Sequence, residues 1–545
     1  LRSGHIHRGR LGLAWAARRA LDRGRRPRAR ALAREALQGR SASPWTRMVA
    51  HHVLGRAGGP RSVSHLAQAA RSADLVHDRL AAAADRQAFL ALRSDVYLDY
   101  LGALLERNRT EDRRRALGVA GRLRAGWLLD ELAKRTDDGD DESVRRWHDL
   151  RSRLAALLHE VEGGDEPRVR RSGLRLHGTI QRLEADLRRA EMKLARRLPI
   201  PGRHDVADTV DELIRRLPHD DTFVEYLLHG GDLVVFHARA GRLRVHRLEG
   251  RAAVVEELLD SVQFHLDAQT WLADQPGSLR EAALADRLRR LSDLLFGTVP
   301  LPDIGRLWIA PHAGLVQVPW VALPVGSGDP LVDRVPLTLV PGAESAARLL
   351  REPARRPRTV ALGGTSSTAL PMVDREISDL AALAPAATVA ATTTRNEFLT
   401  LLETHELVHL AGHAVFLDGM PFASGLRMSD GYVTVRDLAA TRLSARFVSF
   451  GVCSGLRVGR EHSDRHAGFV LALLGGGVRT VIGPISPVHD EIAYAFDLAL
   501  HTALFDTSDP CLAFSSAVRA VRELDAQPAV WGAFHMYGDP RPWEA

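Results

Sequence analysis

At 545 residues the chain is too long for one ordinary core and is expected to divide into two to four domains, and its 45% hydrophobic and 26% charged residues are values of a soluble globular protein. The net charge of +7 is local: residues 1–50 hold 13 Arg against Asp22 and Glu35, a net +11, which leaves the remainder at −4. Without an aromatic-and-basic ladder or an RNA-binding signature, that charge excludes specific nucleic-acid binding as a leading function.

No apolar run approaches the length of a membrane span, since even residues 469–478 are broken by Gly475, Gly476 and Gly477, so no membrane association is expected. Two cysteines, Cys453 and Cys511, are too few for a disulfide framework and fit a reducing cytoplasm. No secretory signal is read, and the start at Leu1, not Met, fits the expectation of a fragment whose true start is unseen.

Residues 1 to about 200 are rich in Ala, Leu and Arg and poor in β-branched residues, which predicts helices throughout, with breaks at Gly24, Gly58-Gly59-Pro60, residues 137–141 and Gly163-Gly164. Gly24 with Ala36, and Gly55 with Ala67, share a spacing that resembles the small-residue positions of tetratricopeptide (TPR) repeats, although Ser43 and Asp74 stand where a third small residue is expected. A long helix over 174–198 ends at Pro199-Ile-Pro201-Gly202, and the domain boundary is placed there. The expected division is thus a helical, TPR-like region at 1–200 and a second domain at 205–545.

Beyond the boundary, short β-rich runs alternate with helical stretches, as an α/β domain requires. Strands are predicted at 222–226, 233–237, 243–247, 306–310, 359–362, 407–410, 447–450 and 479–482. Helices are predicted near 253–272, 279–296, 343–351, 372–384, 395–404, 465–475, 489–505 and 510–523. This pattern predicts a mainly parallel sheet with helices on both faces and functional groups at the carboxyl ends of strands.

Two apolar runs break into small residues at such ends. Glu406-Leu-Val-His-Leu-Ala-Gly-His413 delivers an imidazole, and Val448-Ser-Phe-Gly-Val-Cys453-Ser-Gly delivers a thiol, the pair a Cys/His nucleophilic dyad needs.

Together with Leu315-Val-Gln-Val-Pro-Trp-Val-Ala-Leu323, the stretch 483–490 and the terminal Trp531-Gly-Ala-Phe-His-Met-Tyr-Gly538, these segments resemble, in order and spacing, the CHAT domain. CHAT domains are caspase-like, separase-related peptidase domains, often bacterial and commonly attached to TPR repeats; the resemblance covers roughly 205–545. It implies a cysteine endopeptidase in which His413 is the acid or base and Cys453 attacks a peptide carbonyl. Backbone N–H groups of Ala414 and Cys453 would hold the oxyanion. It implies no cofactor and no metal. Its partners would be a protein substrate and a regulatory protein at the helical region.

Ala414 replaces the family's usual Gly, and Ile485-Ser486 replaces Leu-Trp. Cys453-Ser-Gly455 is nearer to separase, where an Asp after the next strand binds a substrate arginine; Asp490 stands in that place, so cleavage after a basic residue is expected. Gly451 stands where metacaspases carry their own acidic pocket residue.

Two other readings run beside this one. His405-Glu406-Leu-Val-His409 is H-E-x-x-H, which on a helix would bind zinc as a metallopeptidase, but the segment reads as a strand. A non-catalytic interaction scaffold is the other alternative function. Among single residues, His409 is expected to be a core group, Cys511 structural, His312 part of a loop turn, and Asp490 either a pocket residue or a helix cap.

Overall fold

A computed structural model describes residues 2–38, 42–78, 83–124, 206–271, 278–367, 370–415, 424–452 and 468–544, together with Arg182 and Asp186. The described residues fall into two compact units, one holding the residues up to Leu123 with Arg182 and Asp186, the other holding Arg124 and everything from Val206 onward. The predicted helix at 174–198 and the Pro/Gly boundary at 199–202 lie outside the described residues, apart from Arg182 and Asp186, which are helical. Among the described residues no helix is long and apolar enough to cross a membrane.

Among its described residues the first unit is helical, with α1 (Arg2–Asp22), α2 (Arg26–Leu37), α3 (Pro44–Arg56), α4 (Ser62–Asp78), α5 (Ala83–Arg107) and α6 (Thr110–Arg124). Neighbouring helices pack through small residues, with Ala29, Ala33 and Ala36 of α2 fully buried. Gly55 serves close approach, because a Cβ there would lie 2.5 Å from the Leu66 side chain of α4. Gly24 does not: it sits in the turn after α1 with φ +73° and open space around it, so it is a left-handed helix stop. The common spacing of Gly24 and Gly55 therefore covers two different physical roles.

The second unit is built on an eleven-stranded sheet. In chain order the strands of this unit are β1 (Thr222–His229), β2 (Asp232–Arg239), β3 (Arg242–Leu248), β4 (Leu307–Ala310), β5 (Pro324–Val325), β6 (Asp329–Pro330), β7 (Leu337–Leu339) and β8 (Val360–Gly364). They continue with β9 (Thr388–Ala390), β10 (Leu407–Gly412), β11 (Ala414–Val415), β12 (Gly425–Met428), β13 (Gly431–Thr434), β14 (Phe447–Val452), β15 (Thr480–Pro484) and β16 (Phe534–Gly538). The sheet order is β3-β2-β1-β4-β7-β16-β15-β14-β10-β8-β9, while β11–β13 and β5–β6 form small separate sheets.

The sheet is mostly parallel but contains two blocks of opposite direction. Strands β15, β14, β10, β8 and β9 run parallel to one another, as do β1, β4, β7 and β16, and the blocks meet at the antiparallel pair β15–β16. All eight predicted strands are present. Three strands of the large sheet, β7, β9 and β16, were not predicted; in β7 and β9 three residues are too few to establish a period.

Helices α7 (Val206–Arg216), α8 (Ala252–Trp271), α9 (Ser278–Phe296), α10 (Leu331–Arg334), α11 (Ala343–Leu349) and α12 (Val373–Leu383) accompany the first half of the sheet in sequence. They are followed by α13 (Arg395–Thr404), α14 (Val435–Ala440), α15 (Phe469–Gly475), α16 (Asp490–Thr507), α17 (Pro510–Leu524) and α18 (Pro528–Trp531). Strand alternation sorts the side chains of β10 and β14 between two layers. Ser449 and Phe447 face α16, where both meet His501. Phe450 points the other way, onto Phe469 of α15.

Two motif segments are tied together here. The buried His535 of β16 donates from Nε2 to the carbonyl of Val318 at 2.9 Å, and Trp320 two residues on is wholly buried. The terminal motif and the Leu315-to-Leu323 motif are thus parts of one core.

Candidate active site

Adjacent parallel strands bring the two motif ends to one place. The register of β10 and β14 pairs Gly412 with Val452, and the next residues in the chain are His413 and Cys453. Cys453 lies outside the described residues, so the site is built here from the histidine side.

His413 is half-buried, with Nε2 3.4 Å from the Ser367 hydroxyl and its carbonyl accepting from the Arg427 backbone N–H at 2.8 Å. Burial holds its ring below the usual imidazole pKa, the positive charge of Arg427 lowers it further, and Asp490 works in the opposite direction. The preceding glycine is required by close approach, since a Cβ at Gly412 would strike the Thr365 hydroxyl. Ala414 opens β11 opposite Leu426 and is absent from the positive-φ residues, so its backbone is one that alanine adopts without strain.

Asp490 is the first residue of α16, with His489 as the N-cap. Its Oδ2 accepts from the Met372 N–H at 2.6 Å, so the carboxylate holds the entry to α12 and does not cap its own helix. The altered pair Ile485-Ser486 lines a shallow depression with Pro319, Pro487 and Gly532.

Beneath this layer lies a polar cluster that the sequence reading missed, apart from His409. Its members are Glu376 on α12, His409 on β10, Ser449 on β14, and Asp497 and His501 on α16, none more than 1% exposed. His409 Nε2 lies 2.7 Å from Glu376 Oε1 and its Nδ1 2.9 Å from the Ser449 hydroxyl, which is 3.0 Å from His501 Nε2. Burial pushes the Glu376 carboxyl up to about 8, with the nearby Asp490 charge adding to the effect. Burial likewise raises Asp497 well above the ordinary carboxylate range and depresses His409 and His501.

Gly451 explains how two carboxylates fit there. A Cβ at that position would stand 2.7 Å from Glu376 Oε1 and 2.8 Å from Asp497 Oδ2. An acidic side chain at 451, as metacaspases carry, would enter a layer that already buries two carboxyl groups. The only local signal in sequence was the one-turn spacing of Asp497 and His501 within a predicted helix.

The H-E-x-x-H segment does not form a helical zinc motif. His405 ends α13 in an extended conformation, half-buried and bonded to Thr388 and Thr404, whereas His409 is fully buried within β10. Glu406 lies between them, accepting from the Arg358 N–H at 2.7 Å.

Two other expectations resolve simply. Cys511 is fully buried, its thiol donates to the Leu337 carbonyl at 3.4 Å, and burial pushes its pKa up, so it is an inert core residue. His312 is also buried: its Nδ1 accepts from the Leu228 N–H at 3.1 Å, which makes it an anchor between β1 and the turn after β4.

Comparison with known proteins agrees with the motif order. The family model of the CHAT domain matches residues 285–539, so this stretch of the chain is similar to CHAT domains. The matched segment includes His413, Cys453 and Asp490 but begins within α9, leaving out β1–β3, although β1 pairs with β4 in the same sheet. No curated protein matches the chain.

Among solved structures, the chain is similar to the Saccharomyces cerevisiae separase–securin complex, at 11% identity and a TM-score of 0.47, covering 98% of this chain and 53% of the other. A second crystal structure of that complex matches at 11% identity and a TM-score of 0.44, covering 96% and 53%. The complex of Porphyromonas gingivalis RgpB pro- and mature domains matches at 9% identity and a TM-score of 0.34, covering 47% and 69%. The chain spans about half the length of the separase-complex chains that it matches.

Proposed function

We propose that this protein is a cysteine endopeptidase in which His413 and Cys453 form the catalytic dyad. Residues 205–545 would be the peptidase and residues 1–200 a helical region through which a protein partner regulates it. The observation that carries the reading is the Gly412–Val452 register, which ends two neighbouring parallel strands immediately before the imidazole and the thiol. His413 would take the thiol proton as Cys453 attacks the scissile carbonyl, then return it to the leaving amine. The backbone N–H groups of Ala414 and Cys453 would receive the oxyanion, and water would hydrolyse the thioester.

Asp490 favours a basic residue before the cleaved bond. It stands at the N-terminus of the helix that follows β15, and its charge reaches His413, so a guanidinium bound there would lie beside the dyad. Such cleavage would take place in the cytoplasm, with no cofactor at the dyad.

The test is cleavage of an unbiased peptide library by the full chain, by Cys453→Ala and by His413→Ala. Cleavage after Arg or Lys that both substitutions abolish supports the dyad, and Asp490→Asn should then raise KM selectively for basic substrates. Cleavage that survives Cys453→Ala would overturn the proposal. Gating through the helical region predicts that a bound protein partner changes turnover by the intact chain; equal turnover with and without a partner shown to bind would overturn that part.

A further inference from the structure

The polar layer under β10 and β14 has a composition that side-chain packing alone does not explain. Two carboxyl groups, Glu376 and Asp497, are buried with two imidazoles, and among the described residues no Arg or Lys pairs with either carboxyl. Both oxygens of Asp497 and the Nδ1 of His501 lack a hydrogen-bond partner there. An orphaned buried carboxylate is costly, and a cation removes that cost.

The geometry suits a metal. Asp497 and His501 lie one turn apart on α16, a spacing that aims two donors from one helix face at one point, and His409 reaches the same point from β10. One donor atom from each of the three lies within 4.8 Å of the others, so a common centre lies within about 2.8 Å of all three, against the roughly 2.0–2.2 Å of Zn–N and Zn–O bonds. Shifts of under an ångström close that gap. Glu376, which holds His409 Nε2 at 2.7 Å, is the carboxylate partner that orients a metal-ligating imidazole.

We propose that His409, Asp497 and His501 form a structural site for a divalent transition-metal ion, with zinc the best match to the two-imidazole, one-carboxylate donor set. A bound dication would stabilise the ionised carboxylate of Asp497. The site is sealed from solvent, so its role is to fix β10, four residues before His413, against the helix that begins at Asp490. This site shares His409 with the H-E-x-x-H segment but uses neither His405 nor Glu406.

The experiment uses the full chain, stripped with a chelator and titrated with Co²⁺. The expected result is one ion per chain, with the visible absorption of low-symmetry Co²⁺ and no thiolate-to-cobalt charge-transfer band. Binding should weaken by more than about 100-fold in Asp497→Asn. It should be unchanged in His405→Ala and in Cys453→Ala. Zinc analysis of protein purified without chelator should give the same stoichiometry. No Co²⁺ spectrum in the stripped parent, equal affinity in folded Asp497→Asn, or a thiolate band lost in Cys453→Ala would each overturn the site. Should Asp497→Asn fail to fold, the parent spectrum and its persistence in Cys453→Ala and His405→Ala decide the question.

Discussion

Replacing His535 by Gln should flatten the acid side of the stability profile. The ring is 1% exposed, donates from Nε2 to the Val318 carbonyl, and has no partner for Nδ1 among the described residues. Burial lowers its pKa from 6.5 to about 3, only partly opposed by that hydrogen bond. A folded-state value below the unfolded one means that the unfolded chain binds the proton first. The stability contributed by the neutral buried ring is therefore complete above pH 6.5 and is lost progressively as the pH falls toward 3.

From about pH 7.5 to about pH 5, protonation of this one residue in the unfolded state removes about 2 kcal/mol. Urea denaturation of the full chain, followed by tryptophan fluorescence at both pH values, measures the loss in parent and in His535→Gln. Other buried histidines such as His237 titrate alike in both proteins, so they cancel in the comparison. The variant should lose about 2 kcal/mol less than the parent on acidification. Equal losses, to within about 0.5 kcal/mol, would refute the argument from burial.

Once peptidase activity is in hand, the acid limb of kcat/KM should lie below 6.5, because burial and Arg427 both depress His413 and the neutral ring is the base. Arg427→Gln should move that limb upward in pH, and an unmoved limb would show that Arg427 does not act on the ring. Asp539→Ala should cost about 3–5 kcal/mol in chemical denaturation. It strips the buried Arg479 of a carboxylate at 2.6 Å, and a cost below about 1 kcal/mol would contradict that pairing. Gly451→Ala should destabilise by about 1–3 kcal/mol, since its Cβ meets Glu376 and Asp497 with no exposed route for either to yield; parental stability would show that the layer has room to spare.

Local pattern was enough to place most elements. A helical N-terminal region, eight strands in an α/β succession, and a histidine and a cysteine just past strand ends are all properties of short windows, because side-chain periodicity and Gly/Pro breaks act over a few residues. The same locality is why His405 and His409 were ambiguous as a spacing. Only the extended ending of α13 at His405 separates a half-buried imidazole from a fully buried one.

What local pattern does not contain is which distant segments meet. The reversal of strand direction at β15–β16 follows from the C-terminal segment returning to the sheet centre, and β7 and β9 exist as strands because neighbours pair with them. Glu376, His409, Ser449, Asp497 and His501 look unrelated along the chain, each an ordinary polar residue on its own element. They become one buried cluster only when α12 and α16 close over β10 and β14, and Gly451 leaves the space between them. The sequence alone determined the elements and the order of the CHAT motifs; tertiary pairing decided which polar groups share a water-free layer, since burial and mutual distance are properties of the folded chain.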